Sequence, residues 1–244
     1  MTGKAIELLG LRHSYGDDPV LHGIDLEIGH GEVFGFLGHN GAGKTTAINI
    51  MTTLITPTGG TARVCGLDVV SQRHEVTAHI GYLPSEVRMY GHLTASENLE
   101  FLAKLSGLSH PRRAATETLA FLGASDLAHR RVGSFSSGMR QRLGIAQAVM
   151  HRPEVLFLDE PTSGLDPLGV RQLRDTILQL NRELGMTVFM NTHLLSEVAR
   201  MCTTIGVLNH GELIYNDTLE ATVQRFPDEA SLEDIYVRVE AATS

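Results

Sequence analysis

Gly38-His39-Asn40-Gly41-Ala42-Gly43-Lys44-Thr45-Thr46 follows the pattern G-x-x-x-x-G-K-[ST] with one further Thr, and its reading decides the fold. Before it, Glu32-Val33-Phe34-Gly35-Phe36-Leu37 reads as a buried strand. After it, the run from Lys44 to Ile55 carries Ile48, Met51 and Ile55 at the spacing of one helix face. Strand, glycine loop and helix are the context in which this pattern binds phosphate. In that geometry the loop amides and the positive end of the helix converge on the anion, Lys44 reaches the β and γ oxygens, and the Thr45 hydroxyl takes one position on Mg²⁺. A nucleoside triphosphate site is therefore predicted.

At 244 residues, 42% hydrophobic with 25 Gly, the chain suits one sizeable α/β core or two closely packed subdomains. Its net charge of −8 lacks the basic footprint of a nucleic-acid binder. Cys65 and Cys202 lie far apart in sequence, which predicts reduced thiols in a cytosolic compartment, and neither falls in a metal-ligand spacing. No apolar run approaches the length of a membrane helix, and Met1-Thr2-Gly3-Lys4-Ala5 lacks the apolar segment of a secretion signal, so a soluble chain is expected.

Residues 4–9, 23–28 and 62–65 alternate apolar with polar and predict a small antiparallel sheet beside the nucleotide strand. Tyr15 is placed in the loop between the first two, where an aromatic ring can stack on a purine; an ordinary half-exposed Tyr is the alternative. Ile80-Gly81-Tyr82-Leu83-Pro84 is a short strand ended by proline, after which helices take over. Thr94-Ala95-Ser96-Glu97 is a capping box that starts one helix, and Pro111 and Gly123 open and close the next. Ser136 or Ser137 caps a third helix, whose face carries Met139, Leu143, Ala146 and Met150; a Ser-Ser-Gly helix start offers donors to an anion, although alone it is a routine cap.

Val155-Leu156-Phe157-Leu158-Asp159-Glu160 runs from four apolar residues into two carboxylates. A buried parallel strand delivers its carboxyl end to the ligand crevice, so Asp159 suits Mg²⁺ and Glu160 suits the attacking water. Asp166 and Pro167 start a helix with Val170, Leu173, Ile177, Leu180 and Leu184 toward the sheet. Met186 to Met190 forms another buried strand, which ends at Asn191-Thr192-His193 and brings an imidazole to the same edge. Residues 205–208 and 213–215 make a final hairpin around Asn209-His210-Gly211.

Tyr15, the glycine loop, Ser136-Ser137-Gly138, the Asp159-Glu160 strand, the Ser163-Gly164-Leu165-Asp166 turn and His193 together resemble the nucleotide-binding subunit of ATP-binding cassette (ABC) transporters. The likeness keeps the family's motif order over about residues 4 to 225, and is strongest to single-cassette subunits of multidrug, antibiotic or polysaccharide exporters. It implies an α/β P-loop NTPase with a mixed central sheet, a small antiparallel β subdomain and an inserted α-helical subdomain over about 85–137. Residues 1–225 would form the ATP-binding domain and 226–244 a tail of unread role.

The same resemblance implies ATP and Mg²⁺ as cofactors and hydrolysis of ATP to ADP and phosphate. It implies a transmembrane permease subunit and a second cassette, as an ATP-dependent homodimer, for partners, with no nucleic acid. It places the chain in the cytoplasm, peripheral on the membrane through the permease, with contacts near Met89 to Leu105 edged by Tyr90, His92 and Leu93. By resemblance Tyr15 stacks on adenine and Gly38, His39, Asn40, Gly41, Ala42, Gly43, Lys44, Thr45 and Thr46 are Walker A. Ser136, Ser137 and Gly138 belong to the signature, Asp159 to Walker B, Glu160 is the catalytic base, Ser163 to Asp166 the D-loop and His193 the switch histidine.

Two motifs depart from the family. The usual Leu-Ser-Gly-Gly-Gln signature stands as Phe135-Ser136-Ser137-Gly138-Met139, and where a metal-touching Gln is usual after Leu83-Pro84 the chain has Ser85 and Glu86. Glu86 is taken as a metal ligand, with Ser85 the alternative occupant. A soluble cassette acting on nucleic acid or the ribosome is the competing function; about ninety residues between Thr46 and the signature leave no room for long coiled coils, and only one cassette is present. A small-molecule P-loop kinase leaves the Ser136 and Ser163 motifs unexplained.

Overall fold

The computed structural model describes residues 3–242; Met1 and Thr2, at the opening read for a leader, and Thr243 and Ser244, at the end of the tail, lie outside the described residues. The chain begins with two long antiparallel strands, β1 (Lys4–Tyr15) and β2 (Asp18–Gly29), whose alternation turns Ile24, Leu26 and Ile28 inward. β3 (Val33–Leu37) follows, buried at every position, and the glycine loop leads into α1 (Lys44–Met51). Helix α1 stops at Met51, short of the expected Ile55, because Thr53 takes a φ of 65°. Next come β4 (Gly59–Val64), β5 (Leu67–Asp68), α2 (Arg73–His79) and β6 (Ile80–Leu83).

The helical stretch holds α3 (Ala95–Leu105), started by the Thr94–Glu97 capping box, and α4 (Pro111–Phe121). Residues 89–94 precede the helix and are not part of it; Asn98, fully buried, clamps them by accepting from the Tyr90 amide at 2.9 Å and donating to the Tyr90 carbonyl at 3.0 Å. After α5 (Ser137–Val149) the chain alternates β7 (Val155–Asp159), α6 (Pro167–Leu184), β8 (Thr187–Asn191), α7 (Leu195–Met201) and β9 (Thr204–Asn209). β10 (Glu212–Thr218), α8 (Leu219–Arg225) and α9 (Leu232–Ala241) complete it. The unread tail is thus partly helical, and α9 buries Leu232, Ile235 and Val239. Leu184, expected to face the sheet, is 46% exposed at the end of α6, whereas Leu173, Ile177 and Leu180 are buried.

The strands form two sheets, β2-β1-β4-β5 and β10-β9-β3-β8-β7-β6. In the second, β9, β3, β8, β7 and β6 run parallel and β10 is antiparallel, which is the expected mixed sheet. Alternate residues of β3, β7 and β8 enter separate cores on its two faces. Val33, Leu156, Leu158, Val188 and Met190 join the helical side, while Phe34, Phe36, Phe157 and Phe189 join α1 and the antiparallel sheet. Phe189 is central to the second core, with ring centroids 5.2 to 5.7 Å from the other three. Each such pair adds about 0.5 to 1.5 kcal/mol beyond its burial.

Helix α5 lies hard against β6. A Cβ on Gly81 would stand 2.3 Å from the Ala148 carbonyl oxygen, so only glycine permits the approach.

Candidate active site

With β3, β7 and β8 apolar along their length, polar chemistry collects where they end. Gly38 leaves β3 with a φ of 154°, and a Cβ there would meet the Leu208 carbonyl oxygen at 2.3 Å. Gly41, Ala42 and Gly43 then bring the chain to Lys44, the first residue of α1 and only 6% exposed. Its ammonium donates to the Gly38 carbonyl at 2.6 Å and the His39 carbonyl at 3.0 Å. Burial lowers the Lys44 pKa from the ordinary lysine value, and the nearby Glu160 and Asp159 carboxylates oppose that shift. His39 Nδ1 lies 2.8 Å from the Asn40 carbonyl oxygen, and its ring packs on His210 at 4.8 Å. Thr46 is buried in the first turn of α1.

Asp159 ends β7. Its Oδ1 accepts from the Thr45 hydroxyl at 3.1 Å and from Asn191 Nδ2 at 2.6 Å. The Asn191 side-chain oxygen in turn accepts from the Glu160 amide at 2.6 Å, so one buried amide orients both carboxylate residues. Glu160 sits at a φ of 47°, a left-handed conformation that a bulky side chain adopts only when its surroundings enforce it. Its Oε2 faces His193 Nδ1 at 2.7 Å. Thr192, buried between them in sequence, accepts from the Leu194 amide at 3.1 Å and shapes the turn that presents His193.

Thr45, Asp159, Glu160 and His193 therefore form one connected group beside Lys44. Glu86 does not join it: its carboxylate pairs with Arg88 at 2.8 Å in open solvent, and this cation holds its pKa below the usual range. Tyr15 is the last residue of β1, not a loop residue; half its surface is exposed and its ring meets His13 edge-on at 4.6 Å. Ser136 caps α5, its hydroxyl accepting from the Met139 amide at 3.4 Å, and Ser136 and Ser137 are exposed. Among the described residues no hydrogen bond joins Ser136, Ser137 or Gly138 to the glycine loop.

Two contributors escaped the reading of the sequence. Asn191 was seen only as the end of a strand, yet an amide at the last of five buried strand positions must find partners. Gln141, also buried, donates from Nε2 to the Pro161 carbonyl at 2.7 Å and ties α5 to the loop after Glu160. A Gln among the apolar positions of α5 was its only signal.

The oxygen donors Thr45 Oγ1 and Asp159 Oδ1 suit a hard divalent cation, and the lysine and loop amides suit a polyphosphate. This chemistry agrees with what the chain resembles. The sequence profile of the ABC transporter family matches residues 21–163. A bacitracin transport ATP-binding protein of Bacillus licheniformis is 39% identical over 209 residues, 86% of this chain and 68% of that protein. A daunorubicin resistance ATP-binding protein of Streptomyces coeruleorubidus is 40% identical over 220 residues, 89% and 68% of the two chains. Among solved structures, an ATP-binding subunit of an ABC transporter superposes with a TM-score of 0.85 at 27% identity, covering 97% of this chain and 99% of its own. An ATP-binding cassette solved as a dimer in a post-hydrolysis state with ADP and Pi gives 0.77 at 26%, covering 88% and 98%. Fold, motif order and relatives agree: the chain belongs to the ABC transporter family, as an ATP-binding and ATP-hydrolysing subunit.

Proposed function

We propose that this subunit powers export of an antibiotic-like molecule through a separately encoded membrane permease, with two cassettes closing on Mg-ATP. The observation that carries the catalytic part is the connected group of Thr45, Asp159, Asn191, Glu160 and His193. Lys44, released from its own loop carbonyls, neutralises the β and γ oxygens, while the amides of residues 38–46 cradle them. Thr45 and Asp159 would hold Mg²⁺, which when bound neutralises phosphate charge. Glu160 takes a proton from the attacking water as its oxygen bonds to the γ-phosphorus and the bond to the bridging oxygen breaks, giving ADP and phosphate. His193 holds Glu160 through Nδ1.

Ser136 and Ser137 are exposed and Gly138 is half-exposed at the start of α5, with no hydrogen bond to the glycine loop of their own chain among the described residues, which supports a role over the ATP of a second copy, as does the likeness to a dimeric cassette. Tyr15, exposed at the end of β1, is available to adenine. Residues 85–137 act as the helical arm of the ATP-binding unit 1–225, and Tyr90, 48% exposed and edge-on to Phe101, faces the permease. No helix among the described residues is long and apolar enough to cross a membrane, so attachment to its cytoplasmic face is through that partner. The relatives named for bacitracin transport and daunorubicin resistance support an antibiotic-like molecule as cargo.

Glu160→Gln tests the reading. Turnover should fall at least about 100-fold, as expected for loss of a general base, and light scattering should find a dimer with Mg-ATP that wild type forms only transiently. Wild-type turnover in this variant removes Glu160 as the base; a persistent monomer under saturating ATP removes the pairing of identical copies.

A further inference from the structure

Cys65, His79 and Glu154 meet at the amino ends of the parallel strands, the opposite side of the sheet from the ATP site. His79 ends α2 just before β6, and Glu154 immediately precedes β7. Cys65 and Gly66 form the two-residue turn between β4 and β5, with Val64 paired to Leu67 and φ values of 53° and 78°. Such a turn favours Asn-Gly, so a cysteine in its first position holds a conformation its side chain does not favour.

All three backbones are fixed without any ligand. The Glu154 amide donates to the His79 carbonyl at 2.9 Å, the Thr187 amide to the Glu154 carbonyl at 2.9 Å, and the Cys65 amide to the Ala5 carbonyl at 2.8 Å. Their side chains converge from this frame. His79 Nδ1 is 2.8 Å from Glu154 Oε1, and a ring nitrogen of His79, a carboxylate oxygen of Glu154 and the Cys65 sulfur lie within 4.8 Å of one another. Among the described residues this is the one group of three His, Cys, Asp or Glu side chains so arranged.

We propose that Cys65, His79 and Glu154 bind a divalent transition metal ion of the zinc class, with water in the fourth position. Thiolate, imidazole and carboxylate together are the donor set of such an ion, whereas Mg²⁺ avoids sulfur and nitrogen. Bond lengths of about 2.0 to 2.3 Å in a tetrahedron put the donor atoms about 3.3 to 3.6 Å apart, so the His79–Glu154 pair opens slightly and the sulfur draws in. Cys65 is half-buried and the His79 and Glu154 side chains are 41% and 43% exposed along an open cleft, which gives the ion a way in. The cleft's cations are engaged elsewhere, Lys4 with Glu27 at 3.1 Å and Arg63 with Glu7 at 4.0 Å.

Burial first, and then the Glu154 charge, push the Cys65 thiol up to about 12, so without metal it is protonated and a poor nucleophile. Binding must release that proton to solvent. One proton per ion makes affinity rise about tenfold for each pH unit between 7 and 8.

Chelator-treated full-length chain titrated with Co²⁺ in excess Mg²⁺ tests the site, because a thiolate ligand gives cobalt a near-ultraviolet charge-transfer band. The band should saturate at one equivalent, disappear on adding Zn²⁺, persist in Cys202→Ser and weaken at least about tenfold in affinity in His79→Ala. It should be absent from Cys65→Asn, which suits the turn and keeps the fold. No band in wild type, or a band that survives Cys65→Asn, overturns the proposal.

Discussion

The two edges of the parallel sheet differ in how they use polar residues. At the carboxyl edge, side chains bond to side chains: Thr45 to Asp159, Asp159 to Asn191, Glu160 to His193. At the amino edge, polar groups mostly satisfy backbone, as where buried Thr187 accepts from the Gly31 amide at 2.9 Å and Asn181 donates to the carbonyls of Gly31 and Met186 at 2.8 and 2.9 Å. The same apolar strands force both collections outward. A network of side chains stores geometry for chemistry, whereas backbone satisfaction holds the layers in register.

Lys44→Ala should produce the largest contrast: turnover at the carboxyl edge falls more than about 100-fold, since no other loop cation can neutralise the phosphates. An ATPase assay near wild type breaks the assignment. Lys44 also sets a pH dependence. Its folded pKa lies below the ordinary value, so its charge is lost at lower pH than on an exposed lysine. ATP affinity should therefore decline as pH rises through that lowered pKa. In nucleotide-free protein the sign reverses, because shedding a buried charge relieves its desolvation and stability rises up to the unfolded value of 10.5. Titration of ATP binding and urea unfolding between pH 7 and 10 check the two halves.

Asn191→Ala comes next. It leaves the buried Asp159 oxygen and the Glu160 amide short of partners, so turnover should drop about tenfold and stability by about 1–3 kcal/mol, measured by urea unfolding. Full turnover would mean that the two carboxylate residues orient themselves. Thr187→Val gives the smallest effect. It keeps shape but removes the acceptor for Gly31, lowering stability by about 1 kcal/mol with turnover unchanged. A tenfold loss of turnover in the folded variant would erase the distinction between the edges.

The carboxyl edge was legible because its chemistry is written in contiguous runs. Residues 38–46 and 155–160 state strand, turn and charge in one breath, and the fold follows from where such strands must lead. Asn191 needed knowledge of which amide a carboxylate would meet across strands. Tyr15 was assigned to a loop because β1 and β2 run to within two residues of each other, longer than their alternation predicts. Glu86 was drawn toward the metal by the resemblance, which puts a metal-touching Gln after Leu83-Pro84, but Arg88 two residues on holds its carboxylate at 2.8 Å. At the amino edge, Cys65, His79 and Glu154 share no spacing at all; only the folded sheet juxtaposes them.

The bond from Gln141 to Pro161 constrains anyone building chimeras of this protein. Helix α5 begins with the exposed Ser136 cap but is seated on β6, where Gly81 leaves no clearance, and Gln141 fastens it to the Glu160 loop. If the helical arm meets the permease as proposed, a graft that exchanges it should place its junction ahead of Ser136. A cut after Gln141 would replace the residue that fastens α5 to the loop after Glu160 with a foreign one.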